Sequence, residues 1–598
     1  MRRARGILQG AAVVAADPDV TMPDPTLAGT AQPSDRRAPR AAATLVVVRD
    51  GERGGVEVLL ARRAASNDQN SGAWVFPGGV VDAGDRDAHA CCRSLDDAAA
   101  SARLGLSEHG LDHHISAVRE CFEEVGLLFA SRAGDPSGAL IRLDDDGAST
   151  RKLLAERAAL HRRDRGLAEV CRDHGLQLAV DALVYLSHWL TPLGRPKRFD
   201  TRFFIAAAPC GQQASADGTE MLEQRWFRAA DALAHGAELK LMTPTQKTLE
   251  LVARFDDVAA LLAWAAAPRE ITMILPRMGT GAQGLRPVAP DEYAWAEIGR
   301  LDPEGVGHAC YDIQPGVAVR LSARLIRVTA NNGSVMTGPG TNTYLVGGGE
   351  RNEWAAIDPG PLDERHVEAI LAAAPGPIRW IFATHTHLDH SPAVLPLKAR
   401  TGATVYGRRS PHTQWQDTSF APDVELAGGE RFELPGPNGG GTTTLRAIHT
   451  PGHASNHFCY LLEEEKLLFT GDHVMQASTV VINPPDGDMA AYVASLRALI
   501  AGVGQDLEWL APGHGFLMAQ PNRAMQWIVE HRLKREAKVV AALRTLGPAD
   551  ADALLPHVYD DVRPQLHAAA RRSLLAHLLK LRSDGAADEA EGVWALRA

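Results

Sequence analysis

Cysteine is scarce in this sequence: seven residues in 598, scattered, with no Cys-x-x-Cys pair and only Cys91 and Cys92 adjacent. An odd, sparse set excludes a disulfide framework and fits a reducing compartment. Long hydrophobic runs are missing too. None approaches the roughly 18–20 apolar residues that span a bilayer, so no membrane partner is expected. Positive charge is also short, with 62 Lys and Arg against 73 Asp and Glu and a net charge of −11. That excludes a nucleic-acid binder held by global electrostatics. No internal repeat is present, and no sequence feature sets an oligomeric state.

What is present is ordinary globular composition, 45% hydrophobic and 23% charged. The chain is long enough for several domains at about 100–200 residues each. Residues 1–40 are rich in Ala, Pro and Arg without a sustained period and read as a disordered tail. Arg2, Arg3 and Arg5, with no acid before Asp17, hint at an organelle leader. The segment is poor in Ser and lacks an apolar core, so a cytoplasmic protein is expected.

Residues 384–390 read Thr-His-Thr-His-Leu-Asp-His, directly after an apolar run at 378–383. Such a run is expected to be a buried strand. A strand end that releases His385, His387, Asp389 and His390 into a loop can aim all four at one point. Imidazole with carboxylate suits Zn²⁺, Mn²⁺ or Fe²⁺. Downstream stand His453 in His-Thr-Pro-Gly-His, Asp472 in Phe-Thr-Gly-Asp-His and His514 in Ala-Pro-Gly-His-Gly. Each follows a short apolar stretch, with glycine nearby where the backbone must turn. Any one of these histidines alone reads as structural; together they read as a site.

This ordered pattern resembles the metallo-β-lactamase-fold hydrolases over residues 321–536. The resemblance implies that His385, His387 and His453 hold one metal and Asp389, His390 and His514 a second, with Asp472 bridging. Asp389 and Asp472 are thereby catalytic as well as ligating. Two Zn²⁺ (or Mn or Fe) would lower the pKa of water towards neutrality and polarise the scissile bond. The stretches 331–333, 340–345 and 358–360 resemble the branch that includes the β-lactamase-like-protein-2 ribonucleases. Residues 548–598 resemble the winged-helix-like cap of such proteins. Fold and metal chemistry transfer across this superfamily; substrate does not.

A second set of motifs lies earlier. Gly-Ala-Trp-Val-Phe-Pro-Gly-Gly at 72–79 precedes an acidic turn at 82–85, and Arg-Glu-Cys-Phe-Glu-Glu-Val-Gly-Leu follows at 119–127. Glu120, Glu123 and Glu124 are spaced for one helical face. Like charges at that spacing cost a bare helix a few tenths of a kcal/mol per pair. Mg²⁺ or Mn²⁺ removes the penalty, grips a diphosphate and helps to activate water. Arg119 is placed to orient a glutamate or contact a phosphate. The alternative is an ordinary solvated acidic face.

Joined together, these elements resemble the Nudix box, with two departures. Asp85 stands where the family has Glu, and 33 residues separate it from Arg119 where the family has a short spacer. A similar interruption, with the stretches 189–192, 198–201 and 203–204, resembles the CoA-diphosphatase-like motif-19 branch. Asp68 stands where bacterial CoA hydrolases carry Arg. The implied substrate is a CoA-like or nucleotide-like diphosphate.

The expectation is therefore an α/β multidomain chain. It has a tail at 1–40, a Nudix α/β/α sandwich at 41–267 with an insertion at 86–118, and a Pro- and Gly-rich connector at 268–315. A metallo-β-lactamase αββα sandwich at 316–540 and a winged-helix-like cap at 541–598 complete it. Strands are expected at 178–186 and 203–208. Helices are expected at 242–255, opened by Thr243-Pro244, and at 524–546, ending near Gly547. The expected activity is bifunctional metal-dependent hydrolysis. The C-terminal half cuts an RNA phosphodiester or an acyl thioester; the N-terminal half cuts a diphosphate, or is a degenerate module that only binds a nucleotide. Both halves acting on acyl-CoA is one form of this reading. Between 523 and 584 there are eleven Lys and Arg against seven Asp and Glu. Lys534, Arg535, Lys538, Arg571 and Arg572 are candidate phosphate contacts for RNA, or simply a solvated basic face.

Overall fold

The computed structural model describes residues 38–65, 71–144, 147–348, 351–436 and 441–597. The expected tail, up to residue 37, and Asp68 lie outside the described residues. Contacts divide the chain into two units, one comprising Gln32–Met278 with Glu304–Val306, the other built on Gly279–Pro303 and Gly307–Ala598. The Pro- and Gly-rich segment 268–315 is thus divided between them.

The first unit is built on an eight-stranded sheet. Its main path runs Met273–Ile274, Val184–Leu190, Phe199–Ala207, Arg40–Asp50, Val56–Arg63 and Trp74–Val75, with Gly78–Val80 and Met221–Arg228 pairing off it. The central strand Arg40–Asp50 is apolar on both faces, as a strand covered on both sides must be. Leu45 and Val47 pack with Ile115, Val118 and Phe122 of helix Gly110–Val125. Val46 and Val48 face Leu249 and Leu261 of helices Thr243–Val252 and Val258–Ala266. The result is an α/β/α sandwich.

Helix Gly110–Val125 is fixed at both ends. Asp97 accepts from the backbone nitrogens of His109 and Leu111, both at 2.9 Å, satisfying donors that a helix start leaves open. Gly126, at φ 72°, ends it. The apolar run at 178–186 is not one strand. Leu176–Leu178 pairs with Ala130–Arg132 in a small separate sheet, while Val184–Leu190 joins the large one. Between them the chain makes a 3₁₀ turn at Val180–Ala182, where Asp181 accepts from Arg93 at 2.8 Å. An apolar run records burial and not the sheet it joins, and so concealed the break.

The second unit is a four-layer αββα sandwich. Seven strands run in the order Ala318–Arg320, Leu325–Thr329, Asn342–Gly348, Glu353–Ile357, Ile378–Phe382, Thr404–Gly407, Val424–Glu425. Six more run Arg431–Pro435, Thr442–His449, Phe458–Leu462, Leu467–Gly471, Trp509–Pro512, Met518–Ala519. Tyr344, Phe382, Tyr460 and Phe469 fill the space between the sheets. Helices Glu364–Ala373 and Val394–Thr401 cover one outer face, and Met489–Gly502 and Pro521–Leu546 the other. Helices Ala551–Val558 and His567–Ser583 with a three-stranded sheet form a winged-helix domain around Leu554, Leu574 and Leu578. No helix among the described residues is long and apolar enough to cross a membrane.

Candidate metal centres

Five strand ends deliver the C-terminal site. Glu353–Ile357 leads into Asp358, Ile378–Phe382 into residues 384–390, Thr442–His449 into His453, Leu467–Gly471 into Asp472 and Trp509–Pro512 into His514. Three groups of ligand atoms, each within 4.8 Å, result: His385, His387 and His453; His385, His390 and Asp472; Asp389, His390 and His514. His387 Nδ1 lies 2.9 Å from His385 Nε2 and 3.0 Å from His453 Nε2. Asp472 sits between the groups, with Oδ2 3.6 Å from His453 Nε2 and Oδ1 3.2 Å from His514 Nε2 and 3.4 Å from His390 Nε2. Gly513 is needed for this approach, because a Cβ there would lie 2.8 Å from both Asp472 Oδ1 and His390.

Partners behind the site fix the rings. His390 Nδ1 is 2.9 Å from Asp358 Oδ2, His453 Nδ1 2.9 Å from the Val481 carbonyl and His514 Nδ1 3.2 Å from the Gly340 carbonyl. A ring that donates through Nδ1 turns the Nε2 lone pair to the centre, the arrangement seen behind metal-ligating imidazoles. Burial, then the neighbouring imidazoles, hold His385 well below its ordinary value, and His387 falls to about 3 for the same reasons. Neutral rings are the ligating form. Burial opposes charge on His390 as well, but Asp389, Asp472 and Asp358 raise it well above the ordinary range. The buried atoms His390 Nε2 and Asp472 Oδ1 have no hydrogen-bond partner. Uncompensated buried polar atoms that converge from two elements fit a cation. The clusters are consistent with a dinuclear metal site; the donors do not select the metal.

Asp358 and Thr341 lie in stretches noted for their resemblance, but their roles at this centre appear only in the fold. Asp358 accepts from Thr384 N and Oγ1, both at 2.7 Å, as well as from His390. Thr341 donates to Asp389 Oδ2 at 3.1 Å. His449 turns instead to the Ser455 carbonyl, 3.2 Å away. A pocket beside His387 and His453 is walled by His412, Trp415, Asn483 and Asp486.

In the first unit the interrupted box closes in space. Arg119 Nε donates to Asp85 Oδ1 at 2.6 Å and Nη2 to Asp85 Oδ2 at 3.0 Å, while Nη1 reaches Glu120 at 2.8 Å and Glu123 at 3.4 Å. The insertion forms its own turn and helix, Ala83–Cys91 and Asp97–Leu104. Glu124 Oε2 accepts from Gly78 N at 2.9 Å. Gly79 leaves room for Glu120, whose carboxylate would lie 2.4 Å from a Cβ there. Burial raises Glu120, pushes Glu123 up to about 7 and raises Glu124 well above its ordinary value. Glu220, just before strand Met221–Arg228, adds repulsion to Glu120 and Glu124, a contribution that only the fold reveals. The three box glutamates do not converge as the histidine cluster does. Glu123 and Glu124 are nonetheless buried and Glu120 half-buried, a like-charge group whose oxygens fit a hard cation.

The expected phosphate contacts are largely engaged elsewhere. Arg535 is buried against Asp561 at 2.7 Å, Lys538 pairs with Asp560 at 2.7 Å and Arg571 with Asp552 at 2.5 Å. Lys534 is exposed, and Arg572 lies over the Trp415 ring. Three of the five expected phosphate contacts are thus already paired with acids, two of them at the surface.

The fold and the histidine and aspartate clusters define an α/β hydrolase scaffold with a candidate metal site, and a second α/β/α domain precedes it in the chain. Residues 336–514 match the metallo-beta-lactamase superfamily, 551–594 the beta-lactamase associated winged helix domain, 39–95 the NUDIX domain and 108–251 the NUDT19 Nudix domain. The chain belongs to the metallo-β-lactamase superfamily, as a fusion with an N-terminal NUDT19-type Nudix domain. Among its relatives, an atrochrysone carboxyl ACP thioesterase of Aspergillus chevalieri is 32% identical over 42% of this chain and 73% of its own length. The beta-lactamase-like protein 2 homolog of Drosophila melanogaster is 30% identical over 44% of this chain and 90% of its own. A NUDIX hydrolase structure from Alicyclobacillus acidocaldarius is 25% identical, covering 39% of this chain and all of that one, at a TM-score of 0.33.

Proposed function

We propose that the C-terminal unit hydrolyses an acyl thioester at a dinuclear centre and that the Nudix unit hydrolyses a CoA-like or nucleotide-like diphosphate. The observation that carries the first reading is Asp472, whose two oxygens face the two histidine groups at 3.2 to 3.6 Å. His385, His387 and His453 would hold one metal and Asp389, His390 and His514 the other, with Asp472 shared. Bound there, two cations would supply nucleophilic water at neutral pH and polarise the carbonyl. Asp358, Val481 and Gly340 hold the imidazoles in register, so that little reorganisation accompanies the reaction. Trp415, His412 and Asp486 wall the approach to the carbonyl. Water adds to the thioester carbon and the C–S bond breaks, giving carboxylic acid and thiol. The thioesterase name of the Aspergillus chevalieri relative supports thioester over RNA. The pairing of three of the basic residues with acids supports the same choice.

In the Nudix unit Glu120, Glu123 and Glu124 would hold Mg²⁺ or Mn²⁺, and the closed Arg119–Asp85 pair supports turnover over mere nucleotide binding. Both centres acting on acyl-CoA is the form we favour. We also assign the chain to the cytoplasm, on its sparse, odd cysteine set.

Mass spectrometry of products tests this. Full-length protein is incubated with hexanoyl-CoA and a short single-stranded RNA, with Mg²⁺ and Zn²⁺ supplied. Free hexanoate with adenosine 3′,5′-bisphosphate is expected. Cut RNA beside intact thioester would overturn the thioester reading, and nucleotide binding without any diphosphate cleavage would reduce the Nudix unit to a binding module.

A further inference from the structure

Trp415 is 53% exposed and stands on the wall of the pocket beside His387 and His453. Its φ is 67°, a left-handed backbone that a bulky residue adopts only where its surroundings impose it. Such strain gathers at ligand clamps. The surroundings here do impose it. Gln416, buried, accepts from Thr386 Oγ1 at 2.5 Å and donates to Asp486 Oδ2 at 2.8 Å, and Asp417 N donates to the Thr386 carbonyl at 2.6 Å. The exposed ring is therefore fastened to the same loop that carries His385 and His387.

Arg572 lies over that ring, its Cζ 5.7 Å from the centroid. It comes from helix His567–Ser583 of the winged-helix domain. The next residue, Ser573, brings its Oγ to 3.5 Å from the nitrogen of Ile482, beside the pocket residue Asn483. Among the described residues Arg572 has no carboxylate partner, and its Nε, shielded from solvent, has no acceptor. Its neighbour Arg571 is paired with Asp552. An arginine serving packing alone would gain by reaching an acid. A half-buried guanidinium stacked on an aromatic ring, always charged and with a free fork, is matched instead to a phosphate.

We propose that Arg572, held by Trp415, binds the phosphate of the thiol arm and makes the C-terminal site selective for phosphate-bearing thioesters. That group is the pantetheine phosphate, carried either by CoA or by an acyl carrier protein. The inference rests on the thioester reading above.

The test compares kcat/KM of the full chain on three hexanoyl thioesters: of CoA, of a holo carrier protein, and of phosphate-free N-acetylcysteamine. Arg572→Gln should lower the ratio of a phosphate-bearing to the phosphate-free substrate about tenfold or more, through KM. Arg572→Lys should fall between, because charge is kept and the fork is lost. Arg571→Gln should keep the wild-type ratio. A ratio cancels losses from poor folding, so an unaltered ratio in Arg572→Gln overturns the proposal. A loss confined to CoA, or to the carrier, names the source of the phosphate. If the wild type hydrolyses none of the three, the thioester reading fails by itself. Calorimetric titration with 4′-phosphopantetheine then decides the phosphate site: weaker binding by Arg572→Gln sustains it and equal binding overturns it.

Discussion

Asp85 and Arg119 are separated by 33 intervening residues in sequence and joined by hydrogen bonds of 2.6 and 3.0 Å. Asp85 is 1% exposed. The pair closes the box around the insertion, and Arg119 passes the link on to Glu120 and Glu123.

Removing Asp85 takes two hydrogen bonds from the buried Arg119, which keeps Glu120 and Glu123 as partners. Asp85→Ala should cost the Nudix unit about 3 kcal/mol, the lower end of what breaking a buried pair costs. Chemical denaturation measures it. Diphosphate hydrolysis should fall with it, and stability within about 1 kcal/mol of wild type would mean that the pair does not hold the box.

Asp358→Asn tests the support behind the C-terminal centre. The amide keeps the size but loses the charge behind His390 Nδ1. Metal affinity should drop about 10–100-fold, as for other partners of ligating imidazoles. Competition with a chelator reads this directly, and unaltered affinity would remove Asp358 from the centre.

Asp472→Ala removes the only carboxylate that faces both histidine groups among the described residues. Metal content by elemental analysis should fall below that of wild type. Thioester turnover should fall by at least about 100-fold, the upper end of what lost support alone produces. Full content and full turnover together would overturn the assignment of the centre.

Glu123 supplies a pH prediction. Burial pushes it up to about 7, with Arg119 opposing and Glu120 adding to the rise. The folded state therefore binds this proton more tightly than the unfolded chain, whose carboxyl titrates near 4.5. The stability that follows is complete below that value and is lost as pH rises through about 7. In chelator-treated protein the Nudix transition should weaken across this window, and Glu123→Gln should flatten it. Mg²⁺ favours the ionised form, so it should raise Tm more above pH 7 than near pH 5. Equal Mg²⁺ shifts on both sides would separate Glu123 from the cation.

Much of the chain was legible from sequence because its chemistry is local. The run at 378–383, the pair Thr243-Pro244 and the stop at Gly547 each encode an element through burial period, fixed φ or a left-handed turn, and helices Thr243–Val252 and Pro521–Leu546 follow. The glutamate face of 120–124 is likewise set by helical spacing alone. The two-part family reading came from such short, ordered motifs.

Tertiary structure decided what spacing cannot encode. The apolar stretch 178–186 split between two sheets because pairing partners lie far away in sequence. Asp358, Thr341 and Glu220 gained their places through strands that meet only in the fold. Basic residues counted as a surplus turned out to be paired with acids that return on other elements. Arg572 reached Trp415 from 157 residues further along the chain. The sequence determined which side chains could ligate or carry charge; packing decided which of them face one another, because contacts between distant segments are set by the burial of whole layers.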